Sequence, residues 1–183
     1  MRILILNWRS LKGKDPYAGG AEVATFEHAK RWVSSHGAEV IWIAPRYKEG
    51  LDNEVVEGVK FDYVSPPIGS NLLKLIFTYP LFLLKTIRVY KEKYKGKVDV
   101  VIDQVHGLPF FTPFYVKEKV VVYIHEVAGD IWDKMYKFPV STIGKFLERF
   151  VFKFYKDKTF VCVSNSTKQD LVKLGLAGSN IKI

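Results

Sequence analysis

The chain has 183 residues, 48% of them hydrophobic, enough for one packed domain or one unit of a longer protein. One cysteine, Cys162, excludes an internal disulfide and a cysteine metal cluster, which fits a cytoplasmic setting. Lys and Arg number 28 against 19 Asp and Glu, a formal net charge of +9 that points to an anionic partner such as nucleic acid, lipid headgroups or a phosphorylated substrate.

Short apolar runs alternate with segments of helical period. The opening "MRILILNW" is of strand length, too short for the apolar region of a secretory signal, and its strand is Ile3–Leu6. After a loop from Asn7 to Ala18, Gly19 and Gly20 open a first helix whose apolar positions are Val23, Phe26, Ala29 and Val33. Strands follow at Val40–Ala44, Val59–Val64, Val98–Ile102, Val120–Ile124 and Thr159–Val163. Most are unbroken β-branched runs, the pattern of strands buried on both faces. Ile143, Phe146, Leu147, Phe150, Val151 and Phe154 give one amphipathic helix. A last short helix has a capping-box pattern at Ser166–Gln169 and stops at Gly175. The final "NIKI" reads as the start of another strand. This alternation predicts an α/β domain over residues 1–183, Rossmann-like, with a mainly parallel sheet and helices on both faces.

In open sheets of this kind ligands bind beyond the carboxyl ends of the strands. Gly19 and Gly20 lie there, where bare backbone and helix-terminal amides receive a phosphate or a sugar; a tight turn without ligand is the competing reading. Glu22 is either a ligand contact or a stabiliser of the first helical turn. Asp103, Gln104 and His106 follow the fourth of these strands, as acceptor contacts or loop structure. His125 ends the fifth and so points into the crevice, followed by Glu126, which assists an acceptor hydroxyl or bonds loop amides. Ser164, with Asn165 and Ser166, follows the sixth, where such clusters commonly cap a helix. His28 and His36 read as structural. The sequence has no G-x-G-x-x-G fingerprint, P-loop, G-x-S-x-G elbow, H-E-x-x-H site or zinc-spaced cysteine pair, and Lys12 and Lys14 fit no Walker pattern. No metal site is expected.

Several stretches together resemble the family 4 retaining glycosyltransferases of the GT-B architecture. The stretch from Asn7 to Ala44 is similar to that family's Gly-Gly-(Ala/Ser)-Glu turn, helix and following strand. "VVVYIHEVAGDIW" places His125 and Glu126 directly after a strand, and "FVCVSNSTKQDLVKLG" resembles the segment preceding the crossover into the second domain. "DVVIDQVHGLPFFTPFY" resembles a variant seen in part of the family. The resemblance implies the N-terminal, acceptor-side half of a hexosyltransferase-like enzyme. It would take a nucleotide-sugar as co-substrate, need no cofactor or obligatory metal, and transfer the sugar with retention. It further implies that Gly19 and Gly20 lie near the diphosphate or the reacting sugar, with Glu22 a candidate substrate contact, and that His125 lines the transfer site as the catalytic residue. Asp103, Gln104, His106, Glu126 and Ser164 are the remaining candidate substrate contacts. In the family a C-terminal donor-binding domain supplies basic residues at the diphosphate and an E-x7-E glutamate pair. That domain is expected to be absent here, leaving this half inactive alone. The alternative is a non-catalytic subunit, binding membrane or acceptor, that pairs with a separate donor-binding chain.

Aromatic residues make up 15% of the chain and sit beside lysines in two regions, Asn71–Lys97 and Ile131–Lys158. The first has an apolar stretch, Leu72–Leu84, carrying Lys74 and broken by Pro80, too short to span a bilayer. This mixture suits an anionic membrane surface, and the family resemblance implies that such a surface holds the first domain on the inner face of the membrane, where lipid-linked acceptors are found; two ordinary packing helices are the competing reading. Nucleic-acid binding is not expected, because the lysines flank long aliphatic runs instead of base-stacking aromatics.

Overall fold

The computed structural model describes residues 1–11, 14–15, 18–48, 51–64, 72–107 and 109–183, with the backbone alone at 72–76 and 135. Lys12 and the Lys74 side chain therefore lie outside the described residues. The strands are β1 (Arg2–Leu6), β2 (Glu39–Pro45), β3 (Asn53–Val56), β4 (Val59–Val64), β5 (Val100–Val105), β6 (Lys119–Ile124), β7 (Thr159–Cys162) and β8 (Ile181–Lys182). The helices are α1 (Gly20–His36), α2 (Leu72–Val89), α3 (Ile131–Met135), α4 (Val140–Phe152) and α5 (Asn165–Lys173). The fold is Rossmann-like α/β, and among the described residues eight strands are ordered β3-β4-β2-β1-β5-β6-β7-β8. Contacts divide the chain into two compact units, residues 1–102 with 115–119, and residues 103–114 with 120–183.

In the first unit β1 pairs with β2 and β2 with β4, both in parallel. Val40 to Ala44 of β2 are buried without a break. Successive side chains point to opposite faces of a strand, so both faces of β2 are covered. Trp42 and Phe61 stack at 5.3 Å between ring centroids in this core. The strand β3 was not legible as a strand. It pairs antiparallel with β4 through a two-residue turn, Glu57-Gly58, in which both residues have positive φ, the geometry that matches the twist of a tight hairpin. Along α1 the buried line is Glu22, Thr25 and Ala29, whereas Val23 is exposed. Of the apolar face expected from the sequence, Ala29 is buried and Phe26 and Val33 are half-buried, while Glu22 and Thr25, with partners of their own, take inward positions in place of Val23. Gly37, in the left-handed region, closes α1 with its amide on the Val33 carbonyl. Pro80 lies inside α2 and does not end it.

In the second unit β6, β7 and β8 pair in parallel, so "NIKI" does supply a strand. The strand β5 runs on to Val105, so Asp103 and Gln104 lie within it and not after it. Both are buried polar residues whose side chains find partners inside the protein, which lets the strand continue. The amphipathic helix expected around Ile143–Val151 is present as α4. Ser141, Gly144, Glu148, Val151 and Phe152 face inward, and Ile143, Phe146, Leu147 and Phe150 are exposed. Trp132 of α3 explains the small inward residue: a Cβ on Gly144 would stand 2.5 Å from its indole ring. The cap of α5 is Ser164, two residues earlier than the Ser166 pattern, with its hydroxyl accepting from the Thr167 amide at 3.2 Å.

Candidate functional site

The first candidate is the mouth of α1. Gly19 is the N-cap residue and has extended backbone. Glu22 reaches back so that one carboxylate oxygen accepts the Gly19 amide at 2.7 Å, the reciprocal half of a capping box. Its other oxygen accepts from the Asn7 side-chain amide at 3.5 Å, at the end of β1. Asn7 Oδ1 in turn accepts the Arg9 amide at 3.0 Å. Glu22 and Asn7 are buried. Glu22 therefore fixes the first turn of α1 to the end of β1, and its negative charge suits the positive end of the helix. Asn7 was not singled out in the sequence, although its place directly after an apolar strand was the signal for it.

Gly20 behaves differently. It is exposed, and a Cβ built on it meets nothing within 4 Å among the described residues. Its φ is not in the left-handed region, so the backbone does not require glycine. Neither packing nor conformation explains this residue, and a glycine opening a helix costs stability relative to alanine. The first amides of a helix have no carbonyl partner within it, so the mouth presents donors beside bare backbone.

The second candidate lies in the second unit, at the ends of β5 and β6. The rings of His106 and His125 are nearly parallel, 8° apart in plane, with centroids 6.4 Å apart. Tyr123, two residues before His125 on the same face of β6, meets the His125 ring edge-on at 4.8 Å. Burial pushes the Tyr123 hydroxyl above its ordinary pKa, so it stays a neutral phenol. Gln104 Nε2 lies 3.0 Å from His106 Nε2. With the amide as donor, His106 accepts on Nε2 and carries its own proton on Nδ1. The three sequence candidates Gln104, His106 and His125 are thus brought together, with Tyr123 added.

Asp103 has a different position from the one its candidacy assumed. It is wholly buried, with Oδ1 accepting the Phe110 amide at 3.1 Å and Oδ2 accepting from the Thr112 hydroxyl at 2.7 Å and the Tyr155 hydroxyl at 2.8 Å. It organises the segment after β5. Burial pushes its carboxyl above the usual carboxylate range, against the opposing pull of these three donors. Ser164 caps α5 and exchanges hydrogen bonds with Ser166 and Thr167. Glu126 is exposed at the start of the loop.

The His125 loop is held from two sides. Its own carbonyl accepts from the Thr167 hydroxyl at 2.9 Å. Farther on, the buried carboxylate of Glu148 in α4 accepts the Ala128 amide at 2.8 Å and the Gly129 amide at 2.9 Å. Lys145, on the same helix, bridges Asp130 and Asp133. Glu148 was missed in the sequence because a glutamate between basic and aromatic residues reads as solvated. Among the described residues no group of three or more His, Cys, Asp and Glu could hold a metal ion, and no helix is long and apolar enough to cross a membrane.

Comparison with known proteins bears on these two sites. A family described as "Glycosyltransferase Family 4" matches residues 18–183, which include both. No curated protein matches the chain. Among solved structures, the chain is similar to sucrose-phosphate synthase from Thermosynechococcus elongatus, with a TM-score of 0.65 and 14% identity. The match covers 94% of this chain and 44% of that one, so the chain spans less than half the length of that structure. Identity this low speaks for the fold, and the family match for the rest: the chain belongs to glycosyltransferase family 4.

Proposed function

We propose that this chain is the acceptor-side half of a retaining glycosyltransferase that moves a sugar from a nucleotide-sugar to a lipid-linked acceptor at the inner face of a membrane. The observation that carries the reading is Gly20, exposed at the mouth of α1 with no internal reason to be glycine. A donor diphosphate approaching that bare backbone meets helix-terminal amides, which stabilise the charge that grows on it as the sugar leaves. Glu22 holds the mouth open by tying it to Asn7 and leaves the ligand to the backbone. His125, set against His106 and Tyr123, offers an imidazole that donates or accepts a hydrogen bond at the reacting sugar. Glu126 and His106 are assigned to the acceptor, whereas Asp103 and Ser164 serve it indirectly by shaping β5 and α5. No cofactor or metal enters this scheme. The donor-binding half lies outside these residues, in line with a chain spanning 44% of the similar structure, and this half alone is inactive.

The test compares the native protein, purified from its source cells, with the 183-residue chain. Each is given a panel of nucleoside diphosphate sugars with lipid extract, and release of nucleoside diphosphate is followed. The native form should turn over one donor, with NMR of the product showing the donor's own anomeric configuration, and the chain alone should not. Inversion would remove the retaining mechanism. Turnover by the chain alone would remove the half-enzyme reading, and a native protein that binds no nucleotide-sugar would remove the transferase reading.

A further inference from the structure

Trp132 stands where the two histidine-bearing segments meet, and the proposed scheme gives it no role. It belongs to α3, at the far end of the loop that begins with His125. Its indole packs against two glycines. A Cβ on Gly144 of α4 would stand 2.5 Å from ring atoms Cδ2 and Cε3, and a Cβ on Gly107 would stand 3.9 Å from Cζ2. Gly107 directly follows His106 and has a φ of 80°, in the left-handed region. The indole therefore reaches from α4 to the turn that carries His106. The same helix holds the His125 loop a second time. Glu148 shares the inward face of α4 with Gly144 and accepts the Ala128 amide at 2.8 Å and the Gly129 amide at 2.9 Å. The loop is thus seated on α4 at Ala128, Gly129 and Trp132, and through the indole it bears on the His106 turn.

Shape, not hydrogen bonding, keeps the indole there. Its Nε1 is buried and has no hydrogen-bond partner among the described residues. A buried donor without an acceptor costs stability, and phenylalanine would avoid that cost. Phenylalanine would also fall short. The atoms that meet Gly144 and Gly107 belong to the six-membered ring of the indole, set one ring farther from the backbone than a phenyl group.

We propose that Trp132 is a positioning residue that sets His106 against His125. Seated on Gly144, the indole fixes the gap between the turn after β5 and the loop after β6, and so keeps the two imidazoles parallel with centroids 6.4 Å apart. Gln104 orients the His106 ring and Thr167 holds the His125 carbonyl, each within its own segment, whereas Trp132 touches both segments. An imidazole displaced by about 1 Å loses on the order of a hundredfold in rate. That consequence rests on the proposed role of His125; the brace itself rests on packing contacts.

The brace is tested on the 183-residue chain by hydrogen exchange with mass spectrometry, in two variants checked for folding by circular dichroism. Gly144→Ala keeps the indole and pushes it off α4. Trp132→Phe withdraws it from Gly107 and removes the unanswered donor, so gain and loss oppose each other and a folded variant remains should Gly144→Ala unfold. Peptides over the His106–Gly107 turn should exchange roughly tenfold faster in either variant, with β2 in the first unit unchanged. In Gly144→Ala the NMR signals of the His106 and His125 ring protons should also shift, and those of His28 and His36 should not. A side chain that served only its own helix would leave the β5 turn unmoved, and that result would overturn the brace. In the native enzyme each variant should lower kcat about ten- to a hundredfold per folded molecule, with the donor KM unchanged, because the mouth at Gly20 belongs to the first unit. The double variant, whose alanine methyl fills space the smaller ring vacates, should recover most of that loss. An unchanged kcat in an enzyme that turns over its donor would overturn the positioning role. Hydrogen exchange needs no sugar donor, so the brace can fail while the wild-type protein still transfers sugar, and can stand where it does not.

Discussion

Replacing Gly20 by alanine separates the fold's needs from the ligand's. Among the described residues a Cβ at this position meets nothing within 4 Å, and φ lies outside the left-handed region, so the folded state accepts a methyl group without strain. Alanine also gives up less backbone entropy on folding and is the better helix former. The substitution should therefore stabilise the chain by about 0.5–1 kcal/mol. For a domain of this size that is a rise of about 1–4 °C in melting temperature. The same methyl group stands where the proposed diphosphate reaches the backbone. By analogy with overpacking a closely fitted core, this should cost about 1–3 kcal/mol of donor binding in the native enzyme. The melting temperature is read on the 183-residue chain by circular dichroism, and donor affinity on the native protein by transfer kinetics. A fall in melting temperature would show that the fold itself requires glycine there. A stabilised variant with unchanged donor affinity would refute the claim that the mouth of α1 is bare for a ligand.

Three further outcomes concern the framework of the site. Glu148→Gln keeps one carbonyl oxygen for the Ala128 and Gly129 amides and turns an NH₂ toward the other. It should cost about 1–3 kcal/mol in urea denaturation, the penalty of one unanswered amide. Gly144→Ala drives a methyl group to 2.5 Å from the Trp132 ring and should destabilise by about 1–3 kcal/mol, with a change in tryptophan fluorescence. Glu118 gives the pH dependence. Burial raises its carboxyl, but the Tyr90 hydroxyl and the amides of Gly96 and Lys117 outweigh that and hold it below the ordinary carboxylate range. Its contribution is therefore full above the ordinary carboxylate range and lost as acid protonates it in the folded state. Thermal melts in acid should show the wild type losing stability more steeply than Glu118→Gln, and parallel curves would remove Glu118 from the account.

Much of the fold was legible because its strands are buried on both faces and so appear as unbroken apolar runs, as in Val40–Ala44. Strand β3, "NEVV", escaped because an edge strand alternates burial and carries charge. Its only sequence signal was Glu57-Gly58 before a clear strand, a two-residue hairpin turn with a less common first residue. The end of β5 was misplaced because Asp103 and Gln104 look like loop residues until Thr112, Tyr155 and His106 are seen to satisfy them. Those partners are up to 52 residues away, and local sequence cannot show them.

The site divides along the same line. The place of Gly19, Gly20 and His125 followed from the strand-to-helix and strand-to-loop junctions, which sequence marks well. Whether a polar residue there holds the framework depends on remote partners, which the structure supplies for Glu22 and Asp103. The helix α4 shows the limit most sharply. Periodicity gives two faces of contrasting polarity but not which of them the protein covers. The inward face combines Val151 and Phe152 with Ser141, Gly144 and Glu148, whereas Ile143, Phe146, Leu147 and Phe150 are exposed. It is inward because Trp132 needs a glycine beneath it and the loop amides need a carboxylate. A glycine in mid-helix sharing a face with a serine and a single glutamate was the available signal.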